Sequence, residues 1–158
     1  MDPQAKKEAL RLFTYGLYAI TCGDEARRNA FTANWVSQVS FEPPLVALSI
    51  ENISTSLGII RATGRFAVNV FGATQRDLAG RLGKGYVAHP DKLEGLTWGI
   101  GEEGCPTLRE TLGWVECAVE SETPAGDSTL LIGRVVGARV LRCEDPLTMF
   151  AAGFRHAG

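Results

Sequence analysis

The sequence is poor in the side chains that most often bind metals or act as catalytic bases. It has only two histidines, His89 and His156, and four cysteines, none of which stands in a C-x-x-C pair. The spacings between these residues are long and uneven, so they form no metal-ligand pattern. A lone histidine in a loop is more often solvated than catalytic. The sequence therefore gives no support to a serine or cysteine nucleophile activated by histidine.

The cysteines indicate the cellular compartment of the protein and give no sign of a chemical role. Buried free thiols are the ordinary interpretation of cysteines without a pairing or metal-binding pattern. Such thiols are typical of proteins in a reducing compartment. The four are Cys22, Cys105, Cys117 and Cys143.

Strong charge of one sign and long apolar runs are also missing. The net charge is −2 and no basic cluster is present, so a nucleic-acid partner is not expected. No run approaches the ~18 apolar residues of a membrane-spanning helix, and the two early lysines are not followed by the apolar part of a signal peptide. With 158 residues, 45% apolar and 22% charged, the sequence predicts one cytoplasmic domain over residues 1–158.

Apolar and alternating segments separated by turn residues predict a mainly β chain. Strands are expected at residues 12–22, 30–36, 45–50, 66–71, 114–122 and 128–142. Helices are expected at residues 3–11 and 54–62, from a capping box at Thr74 to about Gly83, and for one turn from Thr107. Hairpin-linked strands in this number favour a closed or nearly closed, Greek-key-like antiparallel β-barrel.

The segment from Gly99 to Gly104 matches G-x-G-x-x-G, the dinucleotide-binding fingerprint. That fingerprint requires a strand before it and a helix that begins inside it. Here a poor strand candidate precedes the glycines, Pro106 follows almost at once, and two glutamates lie where a pyrophosphate needs positive potential. The pattern therefore predicts a glycine-rich loop and no Rossmann fold.

Two polar segments interrupt sequence that otherwise has the pattern of buried β-structure. The first runs from Thr32 to Ser40, and the second, Glu51 to Ser56, directly precedes a predicted helix. Hydroxyls and N–H groups at a helix N-terminus favour an anion such as phosphate, and small polar residues on a neighbouring strand can face a planar ring. A phosphorylated, ring-bearing cofactor is one interpretation. The other is that Ser54 is an ordinary N-cap and the rest are turn residues.

The order of these segments resembles the flavin reductase family, whose members have the FMN-binding split β-barrel fold. The similar residues are T-A-N-x-x-S-x-V-S-x-x-P-P-L-V from Thr32, an apolar strand, and then N-x-S-T-S from Asn52. The resemblance continues at residues 64–70, 114–117 and 125–135 and spans residues 10–145 in all. The order and spacing of the motifs carry the likeness, since no single motif is decisive.

The resemblance implies a homodimer that binds FMN, or alternatively FAD, near the subunit interface. It places the isoalloxazine ring and ribityl chain against Thr32, Ala33, Asn34, Trp35, Ser37, Gln38, Val39 and Ser40. It places the phosphate on Asn52, Ser54, Thr55 and Ser56, with Glu51 near the ribityl hydroxyls.

The implied activity is transfer of hydride from NAD(P)H to flavin, in which the cofactor carries the chemistry and the protein positions it. Such a flavin reductase could supply a monooxygenase. Many family members have Gly-Asp-His where this chain has Gly126-Asp127-Ser128, so Ser128 is the candidate residue on the nicotinamide side. Two alternatives stay open: an FMN-containing electron-transfer protein that a partner protein reduces, and a module that has lost the cofactor. Near the C-terminus, Phe154 and Arg155 either cover the site or form a frayed tail.

Overall fold

The computed structural model describes residues 1–85 and 90–155, so His89 and His156 lie outside the described residues. Within these ranges the chain forms four helices and nine strands. The helices are α1 (Pro3–Leu10), α2 (Thr55–Thr63), α3 (Arg76–Leu82) and α4 (Met149–Ala152). The strands are β1 (Tyr18–Gly23), β2 (Arg28–Ala33), β3 (Val36–Ser40), β4 (Leu45–Glu51), β5 (Arg65–Val70), β6 (Trp98–Ile100), β7 (Pro106–Leu108), β8 (Gly113–Ala125) and β9 (Ser128–Val140).

Seven strands form one antiparallel sheet in the order β2-β1-β5-β8-β9-β4-β3, and β6 pairs with β7 in a separate hairpin. Strands β2 and β3 are the two edges of the large sheet, yet only Asn34 and Trp35 separate them in the chain. A link this short requires the sheet to curl until its edges come close. The result is an open barrel with a gap between β2 and β3. The mainly β, antiparallel fold class expected from the sequence is confirmed.

The interior of the barrel is apolar. Ile20, Leu48 and Phe66 project into it from β1, β4 and β5, and each is fully buried. Helix α2 packs Leu57 and Ile60 against the same cluster. The sequence favours this apolar interior because apolar residues recur on one side of α2, and because alternate residues of each strand face inward.

A second apolar cluster lies on the outer side of β1 and β2. It joins Ala19 of β1 to Leu82 of α3, Leu108 of β7 and Leu147 near the C-terminus. Since Ala19 and Ile20 are adjacent in the chain, they point to opposite faces of the sheet. Strand β1 is therefore buried on both faces, and α3 is held against β2.

A buried hydrogen-bond network around Asn69 joins β5, β1 and β7. The side-chain N–H group of Asn69 donates to the carbonyl of Ala19 (3.0 Å) and to the hydroxyl of Thr21 (2.9 Å). The backbone N–H of Leu108 donates to Oδ1 of Asn69 (2.8 Å), and the Thr21 hydroxyl donates to the carbonyl of Pro106. The network therefore attaches the small β6–β7 hairpin to the barrel.

Several predicted elements are present. Helices are found at residues 3–10 and 55–63, and α2 ends at Gly64 in the left-handed conformation that favours glycine. The strands predicted at 45–50, 66–71, 114–122 and 128–142 correspond to β4, β5, β8 and β9.

The helix predicted from Thr74 is present as α3, but other predictions are wrong in their bounds or in their details. The strand expected from residue 12 begins only at Tyr18, and the one expected over residues 30–36 ends at Ala33, where the chain passes to β3. The segment from Pro106 to Leu108 is a buried strand paired with β6, so no helical turn begins at Thr107. No capping box opens α3, which starts after Gln75. The Gln75 side chain instead accepts a hydrogen bond from the Gly72 N–H at 2.9 Å.

All four cysteines are free thiols, and three of them are buried. Burial raises the pKa of Cys22 to about 11 and those of Cys105 and Cys117 to about 12. These three thiols therefore stay protonated and unreactive at neutral pH. Cys143 is exposed. In the described ranges, no helix combines the length and the apolar character needed to cross a membrane.

Candidate functional site

A cleft of about 760 Å³ opens beside the gap in the barrel. Its walls come from β2 and the link to β3, from the end of β4 with the start of α2, and from the chain that follows α3. Its volume falls within the range of roughly 300–1,000 Å³ that small-molecule and cofactor sites occupy. The cleft is therefore large enough for a nucleotide-sized ligand.

The two polar segments singled out in the sequence meet in this cleft. They are about twenty residues apart in the chain, but β2 and the end of β4 approach each other across the gap. Eight of the predicted cofactor-binding residues line it: Thr32, Ala33, Asn34, Trp35, Glu51, Ser54, Thr55 and Ser56.

The wall formed by β2 and its link is fixed by contacts to other elements. The Thr32 hydroxyl donates to the carbonyl of Ala79 in α3 at 2.6 Å. The Asn34 amide donates to the sulfur of Met149 at 3.3 Å, and the carbonyl of Trp35 accepts from the Ser49 N–H at 3.0 Å. The indole of Trp35 is partly exposed, which leaves an aromatic surface at the cleft.

The opposite wall is the N-terminus of α2, whose first N–H groups have no partner within the helix. Ser54 occupies the N-cap position, but its side chain makes no capping hydrogen bond in the described part of the chain. Thr55 is partly exposed, and Ser56 is fully buried, where its hydroxyl accepts from the Asn29 amide at 2.8 Å. Hydroxyls and N–H donors at a helix N-terminus, with the helix dipole behind them, form an arrangement suited to an anion.

Four of the predicted residues lie on the edge strand β3 and do not line the cleft: Ser37, Gln38, Val39 and Ser40. Local hydrogen bonds use their polar groups. The Ser37 hydroxyl donates to the Gln38 carbonyl (3.0 Å), and the Gln38 amide donates to the Ser40 carbonyl (3.1 Å). Contact of these residues with a flavin stays a prediction.

Asn52 and Ser128 also lie beside the cleft without lining it. Oδ1 of Asn52 accepts from the Thr129 hydroxyl at 2.7 Å, which ties the turn before α2 to the start of β9. Ser128 is buried as the first residue of β9, and its hydroxyl donates to the Asp127 carboxylate at 3.1 Å. A role for Asn52 at a phosphate, or for Ser128 at a nicotinamide, stays a prediction.

Phe154 packs against α3 instead of covering the cleft. Its ring lies 5.4 Å from the guanidinium carbon of Arg76, and it belongs to the outer apolar cluster.

Two lysines in the cleft wall were missed in the sequence. Lys84 follows α3, and Lys92 lies in a segment without any motif. Lys92 is buried, and its ammonium donates to the carbonyl of Leu82 at 2.9 Å. Burial lowers the pKa of Lys92. Asn29, buried on β2, was missed as well, because nothing in its local sequence shows that it faces the first turn of α2.

Comparison with known proteins agrees with this geometry. The family model for the flavin reductase like domain matches residues 10–158. The chain is 32% identical over 152 residues to the NADH:FMN oxidoreductase of Rhodococcus qingshengii, which covers 96% of this chain and 77% of that protein. It is 33% identical over 135 residues to HsaB of Mycobacterium tuberculosis, the reductase subunit of a flavin-dependent monooxygenase, covering 85% of this chain and 71% of that one.

Two further relatives, both from Rhizobium meliloti, are longer than this chain. They are 34% and 31% identical over 137 residues, and the matches cover 85% of this chain but only 42% and 57% of theirs. The second is the stachydrine N-demethylase reductase subunit Stc3.

Among solved structures, the NADH:FAD oxidoreductase SgcE6 of Streptomyces globisporus is similar with a TM-score of 0.85 at 27% identity. That match covers 100% of this chain and 96% of SgcE6, so the fold agrees from end to end. Together with the family model, these matches show that the chain belongs to the flavin reductase like domain family.

Proposed function

We propose that this protein is a flavin reductase that transfers hydride from NADH or NADPH to a flavin bound in the cleft. The observation that carries the proposal is the meeting of the two polar segments across the barrel gap, with helix N–H groups and hydroxyls on one wall. It is supported by relatives named as NADH:FMN and NADH:FAD oxidoreductases.

The residues of the cleft fit a flavin nucleotide. The α2 N-terminus offers hydroxyl and N–H donors for a phosphate, and Phe31, Ile50 and Trp35 offer apolar surface for a ring system. Glu51 offers acceptors for ribityl hydroxyls. FMN is the proposed cofactor, and FAD is the alternative that shares its ring and its first phosphate.

When bound, the flavin supplies the hydride-accepting chemistry. The residues of this chain bind and orient it. Ser54 and Thr55 hold the phosphate, while Thr32 and Asn34, fixed by α3 and Met149, set the wall against which the ring lies. Trp35 excludes water from one side of the ring. Because hydride transfer depends on close stacking, no acid or base from the protein is needed.

We also propose that the protein is a homodimer that delivers reduced flavin to a monooxygenase in the cytoplasm. The edge strand β3 and its turn carry the exposed apolar residues Val39 and Phe41, which a second copy could cover. Relatives that are reductase subunits of a flavin-dependent monooxygenase and of a demethylase support the partner. The buried free thiols support the compartment.

An FMN-containing electron-transfer protein is the second candidate function. It is favoured by Ser128, which replaces the histidine that many relatives have and is buried beside the cleft. Without a side chain there to stack on a nicotinamide, a partner protein would have to reduce the flavin.

Spectroscopy of the purified protein with FMN separates the two functions. We expect a bound-flavin spectrum that bleaches within seconds of anaerobic addition of NADH or NADPH, and the faster nucleotide identifies the donor. If the bound flavin stays oxidised with both nucleotides but bleaches with dithionite, the reductase function is wrong and the electron-transfer function takes its place. Failure to bind any flavin would overturn both. A Ser128→His variant then tests whether the missing histidine limits nicotinamide use.

A further inference from the structure

Met149 contacts two residues of the cleft wall without lining the cleft itself. The side-chain N–H group of Asn34 donates to its sulfur at 3.3 Å, and its own backbone N–H donates to the carbonyl of Tyr15 at 2.9 Å. Asn34 and Tyr15 both line the cleft. A change in the shape or polarity of Met149 therefore reaches the cleft through these two contacts.

The sulfur determines how the Asn34 amide is turned. A thioether sulfur is a weak acceptor with no hydrogen to donate, so the NH2 group of the amide, and not its oxygen, has to face Met149. Asn34 is one of the two residues that join the edge strands β2 and β3. Its orientation therefore shapes the wall directly at the gap in the barrel.

Helix α4 fixes the position of the sulfur. The Thr148 hydroxyl caps this helix by accepting from the N–H of Ala151 at 3.1 Å, and Thr148 pairs with Gly16 in an isolated β-bridge. Leu147, directly before the cap, is buried in the outer apolar cluster, and Met149 packs against the same cluster. The Met149 side chain thus has both apolar neighbours and a hydrogen-bond donor.

Met149 is only partly buried, so a solute little larger than water has access to it. The activity proposed above forms such an oxidant close by, since reoxidation of reduced flavin by dioxygen yields hydrogen peroxide. The peroxide is produced in the cleft whose wall Met149 supports. Its local concentration is therefore highest near this residue.

Oxidation of the sulfur by hydrogen peroxide is a balanced two-electron reaction. A lone pair of the thioether attacks one peroxide oxygen, and the O–O bond breaks. The leaving hydroxide takes the proton of the transferred oxygen and becomes water, while the thioether becomes a sulfoxide. One of the two sulfur lone pairs accepts from Asn34, so the other is available for the attack.

The sulfoxide does not fit the contacts that Met149 makes. Its oxygen is the acceptor and its sulfur is electropositive, so the Asn34 N–H loses its acceptor at the present position. The polar oxygen is also added to a side chain that packs against apolar neighbours, which is unfavourable. Asn34 and α4 therefore have to move, and the cleft wall moves with them.

We infer that Met149 is an oxidation site that regulates the cleft: hydrogen peroxide converts it to the sulfoxide, which displaces Asn34 and weakens binding of the flavin. This inference rests on the proposed function, because the cleft has to hold a flavin whose reduced form yields the peroxide. The protein thereby releases its flavin when dioxygen, and not a partner protein, consumes the electrons. The change is reversible, because methionine sulfoxide reductases restore the thioether.

The test measures FMN affinity by fluorescence quenching before and after treatment of the purified protein with hydrogen peroxide. Peptide mass spectrometry should find one added oxygen atom on Met149, and FMN affinity should fall by about tenfold or more. Methionine sulfoxide reductases A and B should restore the affinity to within about twofold. Aerobic turnover with NADH should produce the same oxidation, and catalase should prevent it.

Matched controls assign the effect to this one sulfur. The sequence has one other methionine, Met1, which is fully exposed, so its oxidation alone should leave FMN affinity unchanged. Cys143→Ser removes the exposed thiol, which peroxide also attacks. Met149→Leu conserves volume without an oxidisable sulfur, so it should bind FMN within about threefold of the wild type and keep that affinity after peroxide. If Met149→Leu does not fold, Met149→Ile supplies the same comparison.

Four results would overturn the inference while the proposed function stands. The first is a Met149 that stays unoxidised when Met1 is fully oxidised, and the second is a sulfoxide that leaves FMN affinity unchanged. The third is an equal loss of affinity in Met149→Leu after peroxide. The fourth is loss of cooperative urea unfolding in the oxidised protein, because unfolding would then explain the weaker binding. Untreated wild-type protein that binds no FMN would overturn the proposed function and the inference with it.

Discussion

Replacement of Asn69 by leucine is expected to lower the free energy of unfolding by about 3–5 kcal/mol, since it leaves several buried polar groups without partners at about 1–3 kcal/mol each. The affected groups are the Ala19 carbonyl and the Thr21 hydroxyl of β1 and the Leu108 N–H of β7. Urea denaturation followed by tryptophan fluorescence measures the change.

The same change at an exposed asparagine provides the control. Asn52→Leu should lower stability by only about 1 kcal/mol, because Asn52 is itself exposed and the Thr129 hydroxyl is the buried partner that it leaves. A double-mutant cycle of Asn69→Leu with Thr21→Val should give less than the sum of the single losses, since the two side chains are bonded to each other. A loss below 1 kcal/mol for Asn69→Leu would show that the network does not hold β7 to the barrel.

The double variant Ser54→Ala, Thr55→Ala is expected to weaken FMN binding by about 100-fold or more. Each hydroxyl lies at the N-terminus of α2 in the cleft wall, where it would donate to a phosphate. A hydrogen bond to a charged group contributes about 1.5–3 kcal/mol, so loss of two corresponds to a factor of this size. Calorimetric or fluorescence titration with FMN measures it.

Ser121→Ala with Thr123→Ala is the matched control. These two hydroxyls are exposed on β8 and do not line the cleft, so FMN affinity and stability should stay within about twofold and 0.5 kcal/mol of the wild type. Unchanged FMN binding in the Ser54 and Thr55 variant would show that the phosphate does not bind at the N-terminus of α2.

Elements that depend on local sequence were predictable. Strand β4 is an apolar run after two prolines, and α2 ends where Gly64 adopts a positive φ, so both are determined by neighbouring residues. Strand β7 was not predictable. The T-x-x-E pattern at Thr107 favours a helix, but pairing with β6 and the hydrogen bond from Leu108 to Asn69 hold the segment extended. Asn69 lies 39 residues before Leu108, so the local sequence does not show this contact.

The residues of the candidate site also fall into two groups, those that the local sequence predicts and those that it does not. Its hydroxyl-rich wall was found because Ser54, Thr55 and Ser56 are consecutive and precede a helix. Asn29 and Lys92 were missed because no local motif shows the contacts that they make, from Asn29 to Ser56 of α2 and from Lys92 to the end of α3. The residues of β3 lie on an exposed edge of the sheet, so their contact with a flavin, implied by the family resemblance, stays a prediction.

Because only two residues join the edge strands β2 and β3, the cleft between them forms only when the whole sheet has formed. Its walls come from β2, at one edge of the sheet, and from β4, next to the opposite edge, so they face each other only after all seven strands have paired in order. A ligand of the cleft can therefore bind the native state and not partly folded forms. Such binding raises the apparent stability by RT ln(1 + [L]/Kd), about 2.7 kcal/mol at a hundredfold excess over Kd. Supply of the ligand would thus control how long the protein survives proteolysis in a cell.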